Sequence, residues 1–334
     1  MRNDLFIKRF VLVCAIFFST FAYSAEINDP LPSWNNGINK QSIIEFVQSV
    51  TDKKSKDYVQ AKDRIATIDN DGTLWVEQPL YTQVVFIQDR FKELLQSHPE
   101  WKQQEPFKSI LKTPAKQLSK KDMETLFAVT SSKMTVEEFN NTIKKWLRAA
   151  VNPHFKRHYT ELVYQPMLEV INYLQANQFI VYIVSGGGQD FMRAFSEDVY
   201  HIPSEHVIGS TTTTQYTYQN NKPVLIKTVK PLFVSNYAGK PEAIDLFIGK
   251  KPIIAFGNST GDQQMLEWTQ SNSGKHLMLL VHHDDAKREY AYDTQSKVGT
   301  FPASLFKEAE KNNWHIISMK NDWKVVFPIS NMQH

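Results

Sequence analysis

The pattern of apolar and polar residues divides the chain into short strand-like runs separated by segments with helical spacing. Four runs are almost continuously apolar, at residues 64–68, 179–184, 252–256 and 276–281. Such runs are typical of parallel strands that are buried on both faces of a sheet. Because they alternate with helical patterns, we predict an α/β fold with a doubly wound, mostly parallel sheet. Two β-prone segments, residues 211–217 and 224–229, flank a polar turn and predict an added β-hairpin.

The connection between the first two apolar runs is far longer than a simple crossover. Apolar residues at helical spacing occupy most of it, and Thr135 with Glu138 has the pattern of a helix capping box. We therefore predict an inserted α-helical cap domain at residues 75–165. Residues 25–74 and 166–334 are predicted to form the α/β core.

The first residues have the composition of a secretory signal peptide. A basic start is followed by an apolar run at residues 10–21 and by small residues at Ala22 and Ser24. We predict cleavage after Ser24, so that residues 1–24 are removed and the mature protein is periplasmic or secreted. The apolar run is shorter than the roughly 20 residues of a spanning helix, so no stable membrane anchor is expected.

Composition narrows the partners and the chemistry of the mature chain. The formal net charge is +3 for 334 residues, which offers no electrostatic basis for binding nucleic acid or an anionic membrane. The single cysteine, Cys14, lies in the predicted signal peptide. Cysteine catalysis and thiolate metal sites are therefore excluded for the mature protein.

Two carboxylates directly follow the first apolar run. Asp69 and Asp71 lie in the sequence Asp-Asn-Asp-Gly-Thr, which ends with Gly72 and Thr73. Thr73 is a candidate for binding the substrate phosphate. One carboxylate can attack phosphorus to form an aspartyl-phosphate, and the other can protonate the departing oxygen and then activate water. An ordinary turn has a similar composition, but the position after a buried strand favours an active site.

Two further clusters suit the binding of a phosphoryl group. Ser185, Gly186 and Gly187 are expected to end the second strand and open a helix, which would present a hydroxyl and backbone N–H groups. Lys240 precedes a predicted helix and can neutralise the nucleophile and the transferring group. Taken alone, a glycine run more often shapes a turn, and a lysine is more often solvated.

The third apolar run is followed by Gly-Asn-Ser-Thr-Gly-Asp, which contains Asn258 and Asp262. Their oxygens are hard ligands of the kind that Mg²⁺ takes together with water and substrate phosphate. A helix N-cap at Thr260 or Asp262 is the structural alternative. The fourth run ends in His-His-Asp-Asp at residues 282–285, which we interpret as a solvent-exposed loop end and not as a second metal site.

Together these clusters resemble the motifs of the haloacid dehalogenase-like superfamily, and especially its phosphoserine phosphatase-like branch, over about residues 60–300. The resemblance implies a Rossmann-like core, with Asp69 as the nucleophile and Asp71 as the general acid and base. It also implies that Ser185 binds the phosphoryl group and that Lys240 stabilises it.

The resemblance further implies a Mg²⁺ ion held by the Asp69 carboxylate, the Asp71 backbone carbonyl and the last motif. In the branch that motif begins Gly-Asp, whereas this chain has Asn258, so either its amide oxygen or Asp262 completes the site. The branch places a substrate-reading glutamate nine residues after the nucleophile. Here that position is Gln78, with Glu77 beside it.

The expected activity is Mg²⁺-dependent hydrolysis of a small phosphomonoester. The same intermediate permits phosphotransfer to an acceptor alcohol, and a chain that kept the fold without turnover would be a phosphate-ester-binding protein. A dehalogenase has no evident use for Asp71 as an acid, because halide leaves unprotonated. An ion pump is excluded, because the sequence has no set of membrane-spanning apolar runs.

Overall fold

The structure is a computed structural model that describes residues 29–114, 117–292 and 294–329. The predicted signal peptide lies outside these ranges. No helix within them is long and apolar enough to cross a membrane.

Seven strands in the described part of the chain form one sheet. They are β1 (Ile65–Ile68), β2 (Ile180–Gly188), β3 (Val207–Gln219), β4 (Lys222–Phe233), β5 (Ile254–Gly257), β6 (Leu277–His282) and β7 (His315–Ser318). Their order across the sheet is β4-β3-β2-β1-β5-β6-β7. All neighbours pair in parallel except β3 and β4, which form an antiparallel hairpin. The prediction of a doubly wound, mostly parallel α/β core with a hairpin is confirmed.

Twelve α-helices accompany the sheet in the described residues. They are α1 (Ile38–Thr51), α2 (Thr82–Ser97), α3 (Phe107–Lys112), α4 (Lys120–Ser131), α5 (Val136–Ala149), α6 (Gln165–Ala176), α7 (Gln189–Arg193), α8 (Ser196–Tyr200), α9 (Gly239–Ile248), α10 (Gln263–Gln270), α11 (Ala303–Lys311) and α12 (Met319–Asp322). Helices α2 to α5 lie between β1 and β2, where the sequence predicts helices. The capping box forms at the start of α5, where Thr135 and Glu138 exchange hydrogen bonds. The boundaries of a separate cap domain stay a prediction.

The core lies on both faces of the sheet, because neighbouring strand residues point to opposite sides. Ile183 and Phe256 pack into one buried cluster, whereas Val184 and Ala255, next to them in sequence, pack into the other. Burial on both faces explains why these strands are continuously apolar in the sequence.

Aromatic rings join the inserted helices to the core. The ring of Phe86 on α2 lies 6.1 Å from Phe139, 5.5 Å from Trp146 and 5.6 Å from Phe191, measured between ring centroids. Phe139 and Trp146 belong to α5, and Phe191 belongs to α7. These contacts hold α2 and α5 against the carboxyl end of β2.

The hairpin extends beyond its predicted bounds and contacts the inserted helices. Asn220 and Asn221 form its two-residue turn with φ of 49° and 61°, the left-handed conformation that such a turn requires. The Nζ atom of Lys227, on β4, pairs with the Asp190 carboxylate of α7. The same ammonium lies 5.2 Å from the Phe139 ring centroid. The hairpin is therefore anchored to α5 and α7 by a buried cation.

Candidate active site

The predicted site residues converge at the carboxyl ends of β1, β2 and β5, which are neighbours in the sheet. A cavity of about 460 Å³ lies there. Its lining includes seven of the predicted residues, which are Asp69, Asp71, Ser185, Gly186, Gly187, Lys240 and Asp262. Thr73 and Asn258 lie buried behind this lining, where the Thr73 hydroxyl donates to Asn258 Oδ1 at 3.2 Å.

Lys240 lies in the first turn of α9 and is almost completely buried. Its Nζ donates to Asp69 Oδ1 at 2.7 Å, to Asp262 Oδ1 at 2.5 Å and to the Val184 carbonyl oxygen at 2.8 Å. Burial opposes the charge, but the two carboxylates outweigh burial and raise the pKa of Lys240. The ammonium is therefore a fixed positive charge between two carboxylates.

Asp69 has one engaged oxygen and one open oxygen. Its Oδ1 accepts from Lys240, whereas no described residue donates a hydrogen bond to Oδ2. The Asp69 backbone N–H donates to the Phe256 carbonyl oxygen at 2.9 Å, which fixes the turn against β5. Burial and the nearby Asp262 raise the pKa of Asp69, and Lys240 opposes that rise. Asp69 lines the cavity, and its open oxygen can act as a nucleophile or a metal ligand.

Asp71 is held by an aromatic side chain that the sequence analysis did not single out. The indole Nε1 of Trp75 donates to Asp71 Oδ1 at 2.7 Å, and the Trp75 ring stacks on Phe195 at 4.5 Å. Burial raises the pKa of Asp71 to about 6, despite the opposing effects of Trp75 and Lys240. A carboxyl group of this pKa can carry a proton near neutral pH and can also give it up.

The glycine segment joins a strand to a helix, as the sequence predicts. Residues 185–188 are the last residues of β2, where Gly188 pairs with Ser210 of β3, and α7 begins at Gln189 with Gly188 as its N-cap. The Gly187 N–H donates to Ser185 Oγ at 3.2 Å. The Gly188 N–H donates to Gln83 Oε1 of α2 at 2.7 Å. The predicted change from strand to helix at this segment is confirmed, and Gln83 is a further lining residue that the sequence analysis missed.

The loop after β6 is not exposed as predicted, because His283 and Asp285 are buried. His283 Nε2 donates to the Gly72 carbonyl oxygen at 2.7 Å, and its Nδ1 lies 3.0 Å from Glu289 Oε2. The interpretation as an exposed loop end is therefore wrong. The loop folds beneath the turn that carries the two aspartates and supports it.

A family model described as haloacid dehalogenase-like hydrolase matches residues 66–267, which is more than half of the chain. The chain belongs to the haloacid dehalogenase-like hydrolase family. The family predicted from the sequence is thus confirmed, and so is the assignment of the chain to the hydrolases.

Solved structures resemble this hydrolase only distantly. A Bordetella pertussis protein of unknown function is 12% identical, covers 76% of this chain and 97% of its own, and has a TM-score of 0.44. A phosphoserine phosphohydrolase-like protein from Francisella tularensis is 17% identical, and the match covers 74% of this chain and 98% of that protein with a TM-score of 0.36. Cytosolic 5′-nucleotidase IIIB bound to cytidine is 14% identical, and the match covers 82% of this chain and 92% of that protein with a TM-score of 0.40. The search of curated proteins found no match.

The family implies a magnesium ion, and the oxygens of this hydrolase fit one. No described residue donates a hydrogen bond to the Asp71 carbonyl oxygen or to Asp69 Oδ2. No group of three His, Cys, Asp or Glu side chains in the described ranges is placed to hold an ion by itself. A site that combines a carboxylate, a carbonyl, an amide oxygen and water is what Mg²⁺ commonly takes.

The two candidate metal ligands of the last motif, Asp262 and Asn258, make different hydrogen bonds. Both oxygens of Asp262 are engaged, because Oδ1 accepts from Lys240 and Oδ2 accepts from the backbone N–H groups of Asn258 and Ser259, each at 3.0 Å. The Asn258 amide donates through Nδ2 to Glu77 Oε1 at 2.7 Å. Asp262 therefore orders the loop and Lys240, whereas the orientation of the Asn258 amide is set by Glu77.

Glu77 is a further residue to which the sequence analysis gave no role. It is buried, it lines the cavity, and its Oε1 also accepts from the Tyr292 hydroxyl at 2.6 Å. A Cβ atom at either Gly72 or Gly299 would overlap this carboxyl group, so both positions require glycine. Its neighbour Gln78 points elsewhere and donates to the Val298 carbonyl oxygen at 2.9 Å.

Proposed function

We propose that this hydrolase is a Mg²⁺-dependent phosphomonoesterase that works through a phosphorylated Asp69. One observation carries the proposal. Lys240 holds Oδ1 of Asp69, while Oδ2 has no described hydrogen-bond donor, and Asp69 and Asp71 both line the cavity. A fixed carboxylate with one open oxygen, next to a carboxyl group of raised pKa, has the parts of a nucleophile and its acid.

The reaction divides into two steps on these side chains. Asp69 Oδ2 attacks phosphorus, the bond from phosphorus to the alcohol oxygen breaks, and Asp71 gives its proton to that oxygen. Asp71, now a carboxylate, takes a proton from water as the water oxygen attacks the same phosphorus. The bond to Asp69 breaks, phosphate leaves, and Asp71 is protonated again. Lys240 reduces the repulsion between the Asp69 carboxylate and the anionic phosphoryl group.

Mg²⁺ would be held by the Asp69 carboxylate, the Asp71 carbonyl oxygen and the Asn258 amide oxygen, and it supplies charge neutralisation for the phosphoryl oxygens. Ser185 and Gly186 line the cavity beside Asp71 and are proposed to contact those oxygens. Thr73 acts behind them by holding Asn258.

The decisive experiment traps the phosphoenzyme. With Mg²⁺ and an aryl phosphate, the Asp71→Asn variant should accumulate protein phosphorylated on Asp69. The aryl oxygen leaves without a proton, whereas the second step lacks its base. Asp69→Asn should release no phosphate and form no phosphoenzyme, and the exposed Asp63→Asn serves as the matched control. Full phosphate release by Asp69→Asn would overturn the proposal.

The same experiment separates the two alternatives. If an added alcohol captures the phosphoryl group in place of water, the protein is a phosphotransferase. If phosphate esters bind to the wild type without turnover under several divalent metals, it is a binding protein.

Two further properties are part of this proposal. Residues 75–165 are proposed to act as a cap that closes over the bound ester and excludes bulk water. The mature chain is proposed to begin after Ser24 and to act in the periplasm or outside the cell. The N-terminal sequence of protein recovered from the periplasmic and culture fractions tests the second point, and a chain retaining residues 1–24 would contradict it.

A further inference from the structure

The cavity has two chemically different ends. Its floor is formed by Asp69, Asp71, Ser185 and Lys240, and it is polar and charged. Gln83 and Glu124 lie in its wall, but most of that wall is apolar and is formed by Val84, Ile87, Met123, Phe127, Val229 and Phe233. These six side chains come from α2, α4 and β4, so the wall is assembled by the inserted helices and the hairpin.

The charge of the lining favours an ester with a single anionic group. Among the described lining residues, Lys240 is the only lysine or arginine. Its three N–H groups already go to Asp69, Asp262 and the Val184 carbonyl oxygen. A second phosphate or a carboxylate on the substrate would therefore meet no available ammonium on this lining, and burying such a group without a partner is costly.

The size of the cavity leaves room beyond the phosphate. A volume of about 460 Å³ is within the range of small-molecule sites, whereas a phosphoryl group at the floor occupies only a small part of it. Most of the remaining space lies against hydrocarbon, with Gln83 and Glu124 as the polar exceptions on the helices. A leaving group rich in hydroxyls would lose more hydrogen bonds to water there than these two side chains replace, and a methylene chain would gain from leaving water.

We propose that the preferred substrates are phosphate monoesters of apolar alcohols, that is, alkyl or aryl phosphates without a second charged group. This inference rests on the proposed phosphomonoesterase activity and specifies its leaving group. Phosphoserine and phosphorylated sugars, which carry charges or hydroxyls at the position of the wall, are poor substrates.

A homologous series of substrates tests this inference independently of chemical reactivity. Ethyl, butyl and hexyl phosphate share the same kind of leaving oxygen, so a difference in kcat/KM reports contact with the wall. Each added methylene should raise kcat/KM by about fourfold until the wall is covered. Hexyl phosphate should exceed sorbitol 6-phosphate, which has the same carbon count with hydroxyls, and should exceed phosphoserine.

The possible outcomes separate this inference from the proposed function. A flat alkyl series, or a preference for sorbitol 6-phosphate or phosphoserine, overturns the inference and leaves the phosphomonoesterase standing. If none of these esters releases phosphate with Mg²⁺, the proposed function itself fails, and the inference fails with it.

Variants of α2 locate the effect on the wall. Val84→Thr keeps the shape of the side chain and adds a hydroxyl to the wall, so it should lower the ratio of kcat/KM for hexyl over ethyl phosphate several-fold. Val85 is the neighbouring residue, is half-buried and is not part of the lining. Val85→Thr is therefore the matched control and should keep the wild-type ratio. An unchanged ratio in Val84→Thr would contradict the inference.

Discussion

The floor and the wall of the cavity are built in different ways. On the floor, Lys240 and Asp69 are buried and joined by a short charged hydrogen bond. On the wall, Val84 and Met123 are only half-buried and are held by apolar packing. The floor sits on strands paired on both sides, whereas the wall is carried by inserted helices and an edge hairpin. Under the proposed function, the core sets the reaction and the inserted elements set the leaving group.

The largest effect is expected from removing the cation of the floor. In Lys240→Met, Asp69 and Asp262 are left facing each other without a counter-charge. Turnover should fall by about 10³-fold, and the free energy of unfolding should fall by about 3–5 kcal/mol. Phosphate release and urea unfolding measure the two losses. Lys250→Met, which removes an exposed ion pair with Asp63, is the control and should change neither quantity appreciably.

A smaller effect is expected where the wall is anchored. Lys227→Met removes the ion pair with Asp190 and the contact with the Phe139 ring. The free energy of unfolding should fall by about 2 kcal/mol, and the preference for longer alkyl phosphates should weaken. Turnover of methyl phosphate, which is too short to reach the wall, should stay near the wild-type value. An equal loss for methyl and hexyl phosphate would contradict the division between floor and wall.

The support of the metal site can be tested without turnover. In Glu77→Gln, an NH₂ group replaces one carboxyl oxygen, which weakens the control of the Asn258 amide orientation, so the dissociation constant for Mg²⁺ should rise by about tenfold. Isothermal titration calorimetry measures it directly. Adding Asn258→Asp to this variant returns a carboxylate to the site and should restore the affinity. A lower stability with unchanged Mg²⁺ affinity would show that Glu77 is only structural.

The smallest effect is the change in stability of the metal-free protein with pH. Burial raises the pKa of Asp71 from the usual 3.8 to about 6, so the folded state holds this proton more tightly than the unfolded chain. The resulting stabilisation is complete below about pH 4 and is lost as the pH rises through about 6. The wild type should therefore lose stability relative to Asp71→Asn over that interval. A constant difference between the two proteins would contradict this assignment.

Much of the floor could be predicted because its residues follow buried strands at short range. Asp69 and Asp71 come directly after an apolar run, and the ends of parallel strands meet at one edge. The hydrogen bond from the glycine segment to Gln83 could not be predicted, because Gln83 lies on α2, far from that segment in the chain. The burial of His283 could not be predicted either, because it depends on a contact with Gly72 from a distant part of the chain.

The sequence by itself determined the parallel sheet, the hairpin, the helices after β1 and the pair Asp69 and Asp71. These features depend on local periodicity, turn chemistry and burial, which neighbouring residues encode. Only the tertiary structure decided that Lys240 bridges Asp69 and Asp262, and that Glu77 orients Asn258. Those contacts join residues far apart in the chain, so they follow from how the strands and helices pack and not from any local pattern. The apolar wall is likewise decided by the tertiary structure, because it exists only where α2, α4 and β4 meet.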